Sequence, residues 1–475
     1  MAKVITDEQM NEQRSYLAKI KEINNNFAAL HGRERTACTK TYGCQQNEND
    51  TERIRGMLEE AGFCFVDTEE EADLVIYNTC AVRENAEDKV FGRLGILKHM
   101  KQSGGREDMI IAVCGCMVQQ EHIAQKIKTV HPQVDLVFGT HALYRMPKLL
   151  YEAMHDKKSV YDIENTDGAI AEDIPTKHES KYQAWVSVMF GCNNFCTYCI
   201  VPYVRGRERS RRPEDIIAEI EELVRSGCTE ISLLGQNVNS YGKDLEESVD
   251  FAELLRMVNR VEGVERIRFM TSHPKDLSDR LIDAMCECDK VCHQLHLPFQ
   301  AGNNRVLKEM NRRYTREDYL EKIRRVKERI PDIALSSDVI VGFPTETKEE
   351  FEDTISLLKE VEFDQIFSFI YSKREGTPAA KLDFVLTDKE IHENFNRLLE
   401  VQNEISKRKN EAYVGTVRRV LVEGESTKNP DMLSGRCESS KIVNFRGGRE
   451  LIGTYADVRI TEAMTWSLNG ELVNE

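Results

Sequence analysis

The run GCNNFCTYC (Gly191–Cys199) is the most informative stretch of this 475-residue sequence. It places Cys192, Cys196 and Cys199 in a C-x3-C-x2-C pattern, directly after an apolar run that is typical of a β-strand. Three thiolates leave one iron of a cubane 4Fe–4S cluster without a protein ligand, and that iron is open to chemistry. A zinc site is the alternative, although structural zinc prefers four ligands, commonly in C-x2-C pairs. The pattern therefore favours a cluster with one open position.

Strand and helix patterns alternate on both sides of this loop. Upstream, alternating apolar strands and helices are typical of an open parallel α/β sheet; the strands are predicted at 37–41, 72–77 and 109–113, and the helices at 47–61, 84–100 and 121–130. From residue 184 onward, six strands, the first of them directly before the loop and each followed by a helical pattern, predict a partial (β/α)6 barrel rather than a full eight-stranded one. These strands are predicted at 184–190, 230–235, 266–270, 293–297, 333–341 and 364–371.

The fold class is therefore α/β with several domains. The last stretch is rich in Val, Thr and Gly, with short strands spaced for a small β-barrel. We predict a polar lead-in at 1–33, an open α/β sheet domain at 34–163, a polar linker at 164–182, a partial barrel with a following helix at 183–411, and a small β-barrel at 412–475.

The composition limits the cellular compartments and the classes of partner that we expect for this protein. No run approaches the ~18 apolar residues that a membrane-spanning helix needs, and the polar N-terminus has no signal-peptide pattern. We therefore expect a cytoplasmic protein without a membrane partner. The net charge is 65 − 81 = −16, so any contact with nucleic acid must come from local basic patches. Fourteen cysteines are many for the cytoplasm, which favours metal or cluster ligation.

A second set of three cysteines is regular in spacing. Cys44, Cys80 and Cys116 are each separated by 36 residues (80 − 44 and 116 − 80), and each lies just beyond a predicted strand. The carboxyl ends of parallel strands meet at one crevice, so three thiolates could share one cluster there. Plain packing is the alternative for strand-end cysteines, and spacing alone leaves both open.

The motifs resemble those of a known enzyme family. GCNNFCTYC resembles the cluster loop of the radical S-adenosylmethionine enzymes. GCQQN (Gly43–Asn47), NTCAVRE (Asn78–Glu84) and GCMVQQE (Gly115–Glu121) look like the three signatures of the N-terminal domain of radical methylthiotransferases. The resemblance runs from about Thr36 to Leu472 and ends in a TRAM domain, a small RNA-associated β-barrel. One departure is Ala301 and Asn303, where the family usually has serines.

The resemblance implies the cofactors and their ligands. Cys192, Cys196 and Cys199 would hold the radical cluster, and Cys44, Cys80 and Cys116 an auxiliary 4Fe–4S cluster, with Cys114 left as a strand residue. One S-adenosylmethionine would give a 5′-deoxyadenosyl radical and a second would donate the methyl group. Flavodoxin or ferredoxin would supply electrons. The expected contacts to S-adenosylmethionine are Tyr198, Gly235, Gln236, Asn237, Ile340 and Gly342; no side chain beyond the cluster ligands is assigned a catalytic role.

Several stretches resemble the branch that acts on isopentenylated adenosine next to the anticodon (position 37) of tRNA. They are LLGQNVNSYG (Leu233–Gly242), MTSHP (Met270–Pro274) and MNRRYTREDYL (Met310–Leu320). The expected partner is therefore a tRNA anticodon stem-loop that carries isopentenyladenosine, and the protein is expected to be a monomer. The alternatives are methylthiolation of threonylcarbamoyladenosine in tRNA or of a ribosomal-protein aspartate. A non-enzymatic iron–sulfur carrier would need four thiolates for each cluster.

Two basic patches are candidates for RNA contact. The first follows the cluster loop and consists of Arg205, Arg207, Arg209, Arg211 and Arg212; the second, at the entry to the terminal barrel, includes Arg418 and Arg419. Phosphate contacts from such patches would hold an anticodon loop, and a single-stranded loop can release its base for chemistry. The remaining cysteines, Cys38, Cys64, Cys228, Cys286, Cys288, Cys292 and Cys437, are interpreted as packing residues.

Overall fold

A computed structural model describes residues 3–82, 84–156, 158–164 and 166–473. The chain divides into two compact units. The first unit comprises Met1–Glu179, Met189–Asn193 and Cys199–Arg211, and the second comprises Ser180–Val188, Asn194–Tyr198 and Arg212–Glu475. The boundaries of the domains predicted from the sequence, including the linker at 164–182, stay a prediction.

The first unit is built on a six-stranded sheet in the order β2-β1-β3-β4-β5-β6, with every pair parallel. In β3, Leu74 and Ile76 pack into one hydrophobic core, and Val75 and Tyr77 pack into another. Burial on both faces explains why this strand is a continuous apolar run. The elements are α1 (Asp7–His31), β1 (Arg35–Tyr42), α2 (Gln45–Glu60), β2 (Phe63–Phe65), β3 (Leu74–Thr79), α3 (Glu84–Ser103), β4 (Ile110–Gly115), α4 (Glu121–Val130), β5 (Leu136–Phe138), α5 (Met146–Asp156) and β6 (Val160–Asp162).

Four short elements follow between Gln183 and Ser210. They are β7 (Gln183–Ser187), β8 (Met189–Phe190), α6 (Val201–Val204) and β9 (Arg209–Ser210). Strands β8 and β9 pair antiparallel, and both belong to the first unit, whereas β7 belongs to the second.

Six parallel strands of the second unit form two sheets, β11-β10-β7 and β12-β13-β14. An isolated parallel bridge between Ile267 and Val291 joins β11 to the residues before β12. The elements are α7 (Pro213–Arg225), β10 (Glu230–Leu234), α8 (Phe251–Asn259), β11 (Arg266–Phe269), α9 (Asp279–Glu287), β12 (Gln294–His296), α10 (Asn304–Glu309), α11 (Arg316–Arg329), β13 (Ala334–Val341), α12 (Lys348–Val361), β14 (Gln365–Ile370) and α13 (Asp388–Glu411).

The same unit ends in a closed antiparallel-rich barrel, β15-β16-β17-β19-β18. Its interior is filled by apolar side chains such as Val420, Leu433, Phe445 and Val458. Closure removes the exposed edges that such short strands would otherwise leave. The strands are β15 (Val417–Ser426), β16 (Asn429–Arg436), β17 (Ile442–Phe445), β18 (Tyr455–Ala463) and β19 (Leu468–Leu472).

The predicted α/β class, parallel sheet, six-stranded partial barrel and terminal β-barrel are confirmed. The sequence patterns did not predict the short strands β2, β5 and β6 or the helix α5. Among the described helices, none combines the length and the apolar character needed to cross a membrane.

Candidate functional site

The first group of cysteines lies at the carboxyl edge of the N-terminal sheet. Cys44 is the N-cap of α2, just after β1, whereas Cys80 and Cys116 follow directly after β3 and β4. These three strands are neighbours in the sheet, so the three thiols meet at one edge. Cys114 lies within β4, where its partner in the register is Asn78.

The thiols of this group interact with one another. A hydrogen bond between Cys44 and Cys80 lowers the pKa of Cys44 to about 5 and raises the pKa of Cys80. Burial raises the pKa of Cys116 to about 11, although Arg205 acts in the opposite direction. Within the described ranges, no three His, Cys, Asp or Glu side chains could hold a single metal ion. A cubane cluster instead spreads three thiolates over three irons, so the donor set fits a cluster better than a zinc ion.

Arg205 is the buried cation of this group, with 6 % of its surface exposed. Its Nε donates to Cys116 Sγ at 3.1 Å, and its Nη2 donates to Asn47 Oδ1 at 3.1 Å and to Asp50 Oδ2 at 2.8 Å. A charge-assisted hydrogen bond of this kind stabilises a thiolate and restrains its side chain. Arg205 is thus a positioning residue for Cys116, and its burial keeps its guanidinium group from reaching an RNA phosphate.

Two asparagines join this arginine to the sheet. Asn47 Nδ2 donates to Asn78 Oδ1 at 3.0 Å and to the Thr79 carbonyl at 3.1 Å, and Asn78 Nδ2 donates back to the Asn47 carbonyl at 2.8 Å. Gly115 has a φ of +95°, and a Cβ at this position would lie 2.3 Å from Asn78 Oδ1. The motifs GCQQN, NTCAVRE and GCMVQQE therefore share one buried hydrogen-bond network.

We expect Arg205→Met to destabilise the first unit by about 3–5 kcal/mol, because Asp50 would stay buried without its cation. The double variant Arg205→Met/Asp50→Leu should recover most of that loss, since it removes both charges. Thermal unfolding of the wild-type, single-variant and double-variant proteins measures the effect. Additive losses in the double variant would show that the two side chains are not coupled.

The second group of cysteines lies in the loop between β8 and α6. Cys192 and Cys196 are buried and Cys199 is half-buried. In the first unit, Gly191 has a φ of +74°, and a Cβ there would lie 2.0 Å from the Arg207 carbonyl. In the second unit, Thr197 donates its N–H to the Met310 carbonyl at 3.1 Å and its hydroxyl to the Glu309 carbonyl at 2.8 Å. The two hydrogen bonds of Thr197 restrain the part of the loop that belongs to the second unit.

Arg312 is a functional candidate that the analysis of single motifs missed. It is buried, and its Nη1 lies 3.5 Å from both Cys196 Sγ and Tyr198 Oη, while its Nη2 donates to the Pro298 carbonyl at 2.6 Å. It thus relates to Cys196 as Arg205 relates to Cys116. The family-like stretch MNRRYTREDYL contains Arg312, so a signal was present in the sequence.

The expected contacts to S-adenosylmethionine in β10 and β13 lie at or just beyond the carboxyl ends of these strands. That end of a parallel barrel is where active sites are found. Gly342 follows β13 with a φ of +72°, and its N–H donates to Glu346 Oε2 at 2.9 Å. Asn237 Nδ2 donates to Asp276 Oδ2 at 2.7 Å. Of the predicted residues, Gly235, Gln236 and Asn237 follow β10, Ile340 is near the end of β13, and Tyr198 is in the cysteine loop.

Several buried polar atoms at the same end of the barrel have no hydrogen-bond partner within the described part of the chain. Buried polar atoms are almost always paired, so a cluster of unpaired ones indicates that a polar ligand completes them. S-adenosylmethionine, which carries an amino group, a carboxylate and an adenosine, fits this need. The atoms follow β10, β11, β12 and β13: Asn237 Oδ1, Asn239 Oδ1 and Nδ2, Ser272 Oγ, His273 Nε2, Gln300 Oε1 and Glu346 Oε1.

Glu346 makes the stability of this end of the barrel depend on pH. Burial raises the pKa of Glu346 from 4.5 to about 7. The folded protein therefore favours the neutral carboxyl group of Glu346. The contribution of this preference to the free energy of unfolding is complete below about pH 4.5 and is lost as the pH rises through about 7. We expect Glu346→Gln to remove this dependence. Free energies of unfolding of the two proteins from pH 4.5 to 8.5 should diverge by on the order of 3 kcal/mol; parallel curves would contradict the assignment.

The arginines of the first basic patch do not share one environment. Arg205, Arg209 and Arg211 are buried, whereas Arg207 and Arg212 are exposed. Arg211 forms an ion pair with Glu172, with Nη2 2.5 Å from Oε2. The structure therefore does not support phosphate contact by the three buried arginines, because their guanidinium groups already bond within the protein. In the second patch, Arg418 pairs with Glu438 at 2.9 Å and Arg419 pairs with Glu265.

The remaining cysteines are of two kinds. Cys38, Cys228, Cys288, Cys292 and Cys437 are buried, in agreement with their interpretation as packing residues. Cys64 and Cys286 are exposed, so the same interpretation is wrong for them. Cys286 lies on α9, and the helical pattern there did not show which face meets solvent.

Three family descriptions match consecutive parts of the chain. Residues 36–139 match the Uncharacterized protein family UPF0004, residues 186–358 match the Radical SAM superfamily, and residues 411–473 match the TRAM domain. The matched ranges cover β1 to β5 of the parallel sheet, most of the partial barrel up to α12, and the terminal β-barrel.

Curated relatives are similar over almost the full length. The tRNA-2-methylthio-N(6)-dimethylallyladenosine synthase of Acetivibrio thermocellus is 53% identical over 99% of this chain and 97% of its own. The synthase of the same name from Clostridioides difficile is 52% identical over 98% of each chain. Among solved structures, the radical S-adenosylmethionine methyltransferase TsrM of Kitasatospora setae has a TM-score of 0.54 at 14% identity, covering 73% of this chain and 75% of its own. This last likeness concerns the fold alone.

Proposed function

The chain belongs to the family of tRNA-2-methylthio-N6-dimethylallyladenosine synthases, which are radical S-adenosylmethionine methylthiotransferases, and from this membership we propose its reaction and its site. The protein converts N6-isopentenyladenosine next to the anticodon of tRNA to 2-methylthio-N6-isopentenyladenosine. The observation that carries the proposal is that two separate groups of three cysteines are embedded in a chain similar to these enzymes over 99% of its length.

Family membership implies one 4Fe–4S cluster and S-adenosylmethionine. We assign this cluster to Cys192, Cys196 and Cys199, and propose a second cluster on Cys44, Cys80 and Cys116. When bound, these groups supply a radical that removes an unreactive C–H hydrogen and a sulfur for the new C–S bond. Two molecules of S-adenosylmethionine per turnover are proposed, one as the source of the radical and one as the donor of the methyl group.

The proposed role of this chain's own residues is to bind and orient the cluster ligands and S-adenosylmethionine. The proposed role of Arg205 is to hold Cys116 by its 3.1 Å hydrogen bond, and that of Arg312 is to hold Cys196 and Tyr198 at 3.5 Å each. The unpaired polar atoms after β10 to β13 are the proposed contacts for S-adenosylmethionine. No side chain is proposed as a general base, because the substrate C2–H is not acidic enough for proton removal.

The tRNA substrate follows from the family, and its contacts are proposals. Of the first patch we retain Arg207 and Arg212, which are exposed. Arg418 and Arg419 are retained in the terminal barrel, since surface ion pairs such as theirs are weak and can exchange for phosphate. We further propose a flavodoxin or ferredoxin as the reductant, a monomeric state and a cytoplasmic location.

An anaerobic assay tests the proposal. The protein with reconstituted clusters is mixed with S-adenosylmethionine, a reductant and tRNA that carries isopentenyladenosine without a methylthio group, and the nucleosides are identified by mass spectrometry. We expect 2-methylthio-N6-isopentenyladenosine. Release of 5′-deoxyadenosine without this nucleoside would point to a threonylcarbamoyladenosine or ribosomal-protein substrate. Formation of neither product by a protein with intact clusters would reject the enzymatic function.

A further inference from the structure

The first unit contains a cavity of about 50 Å³ beside the Cys116 region. Its polar lining includes Asp50, Arg53, His141, Arg205 and Arg209. A volume of this size holds about three water molecules, or one small ion with a few heavy atoms. Arg205 belongs to both places, because the same guanidinium group lines the cavity and donates to Cys116 Sγ.

The charge of this lining is positive. Three arginines face one carboxylate, and that carboxylate, Asp50, already pairs with Arg205 at 2.8 Å. His141 is neutral at pH 7 and adds no charge, because burial, Arg209 and Arg205 lower its pKa to about 4, although Asp167 and Glu164 act in the opposite direction. The side chains that line the cavity therefore carry a formal excess of two positive charges at neutral pH.

Arg53 is the side chain that this excess leaves without a partner. It is only 8 % exposed, and within the described ranges its side chain has no hydrogen bond and no ion pair. The Cζ atom of Arg53 lies over the Phe190 ring, 5.8 Å from the ring centre. Arg53 lines the cavity without a partner for its charge, so an anion in the cavity would supply one.

The backbone at Gly168 lies close to two of the side chains that line the cavity. Gly168 has a φ of +80°, and a Cβ there would lie 2.4 Å from His141 Nδ1 and 2.9 Å from Arg209 Nη2. Arg209 is itself fixed by donating to the carbonyls of Arg207 at 2.7 Å and Arg205 at 3.1 Å. The lining is therefore a pre-arranged group of donors and not a set of mobile surface side chains.

We propose that this cavity is a binding site for one small inorganic anion, with Arg53 as its principal donor. A nucleic-acid phosphate is the less favoured occupant, because the three arginines that would receive it are each more than nine-tenths buried. Two free anions share the required chemistry. One is an oxyanion such as phosphate; the other is hydrosulfide, a simple anionic form of the sulfur that the reaction inserts, and this second source rests on the proposed function.

Titration calorimetry of the cluster-loaded protein with inorganic phosphate tests the site. We expect saturable binding that is at least tenfold weaker in Arg53→Met, whereas Arg14→Met, an exposed arginine on α1 of the same unit, should bind as the wild type does. Competition by added sulfide would identify hydrosulfide as an occupant, and its absence would assign the site to oxyanions. Competition by tRNA for phosphate binding in both the wild type and Arg14→Met would instead identify an RNA phosphate and overturn the free-anion site.

Thermal unfolding provides an independent readout that does not depend on catalysis. Without anion, Arg53→Met should unfold at the same or a higher temperature than the wild type, because it removes an unpaired buried charge. Phosphate should raise the unfolding temperature of the wild type and not that of the variant. Equal phosphate affinity in both proteins, or no binding by the wild type, would overturn the inference. Neither result bears on methylthiolation, so a failure here is distinct from a failure of the proposed function.

Discussion

Cys196→Ala is expected to abolish release of 5′-deoxyadenosine from S-adenosylmethionine by the reduced protein, a loss of more than about 1000-fold, or about 4 kcal/mol of barrier. The loop that carries Cys192, Cys196 and Cys199 offers three thiolates, the minimum for a cluster with one open iron. Cys196 is buried and lies 3.5 Å from Arg312 Nη1. Its removal therefore takes away a ligand and leaves the guanidinium group without its sulfur acceptor.

The measurement is the rate of 5′-deoxyadenosine release under anaerobic conditions, with iron content determined for each protein. Cys228→Ala is the matched control, because Cys228 is a buried cysteine of the same unit that lies outside the loop. We expect the control to cleave S-adenosylmethionine as the wild type does, with a small loss of stability from lost packing. Cleavage by Cys196→Ala at a rate comparable to the control would refute the assignment of this loop.

The sequence predicted those strands that are long enough to show a characteristic pattern of apolar residues. Strands β1, β3 and β4 are six to eight residues long, and each ends beside a cysteine motif, so both the sheet and the common edge could be predicted. Strands β2, β5 and β6 have three residues each. Three residues are too few to show a period, and such strands exist through pairing with their neighbours.

The sequence could not predict which arginines are buried. Arg205 and Arg207 are neighbours in one basic run, yet Arg205 pairs with Asp50, which is 155 residues away along the chain. Arg211 similarly pairs with Glu172. A local run of charged residues suggests a solvent-exposed face, because the sequence does not show which distant residues pair with it. Burial therefore gives Arg205 a role beside the thiols, places Arg209 in the lining of the cavity and pairs Arg211 with Glu172, instead of presenting these arginines to RNA.

Disruption of each group of cysteines in turn should affect different products of the reaction. Cys80→Ala is expected to keep release of 5′-deoxyadenosine while lowering formation of 2-methylthio-N6-isopentenyladenosine more than about 100-fold, or about 3 kcal/mol. The reason is that Cys80 lies after β3 beside Cys44 and Cys116, and this group is separate in sequence from the loop of Cys192, Cys196 and Cys199.

Both products are quantified from one reaction, which gives a ratio that does not depend on the fraction of active protein. Cys38→Ala is the control for lost packing, since Cys38 is 1 % exposed in β1 of the same sheet and is not part of the thiol group. We expect that variant to form both products. Parallel loss of both products in Cys80→Ala, with both retained in Cys38→Ala, would mean that the two cysteine groups act as one centre. Loss of the methylthio nucleoside alone would mean that cleavage of S-adenosylmethionine and insertion of sulfur use different thiols, as we propose for the two groups.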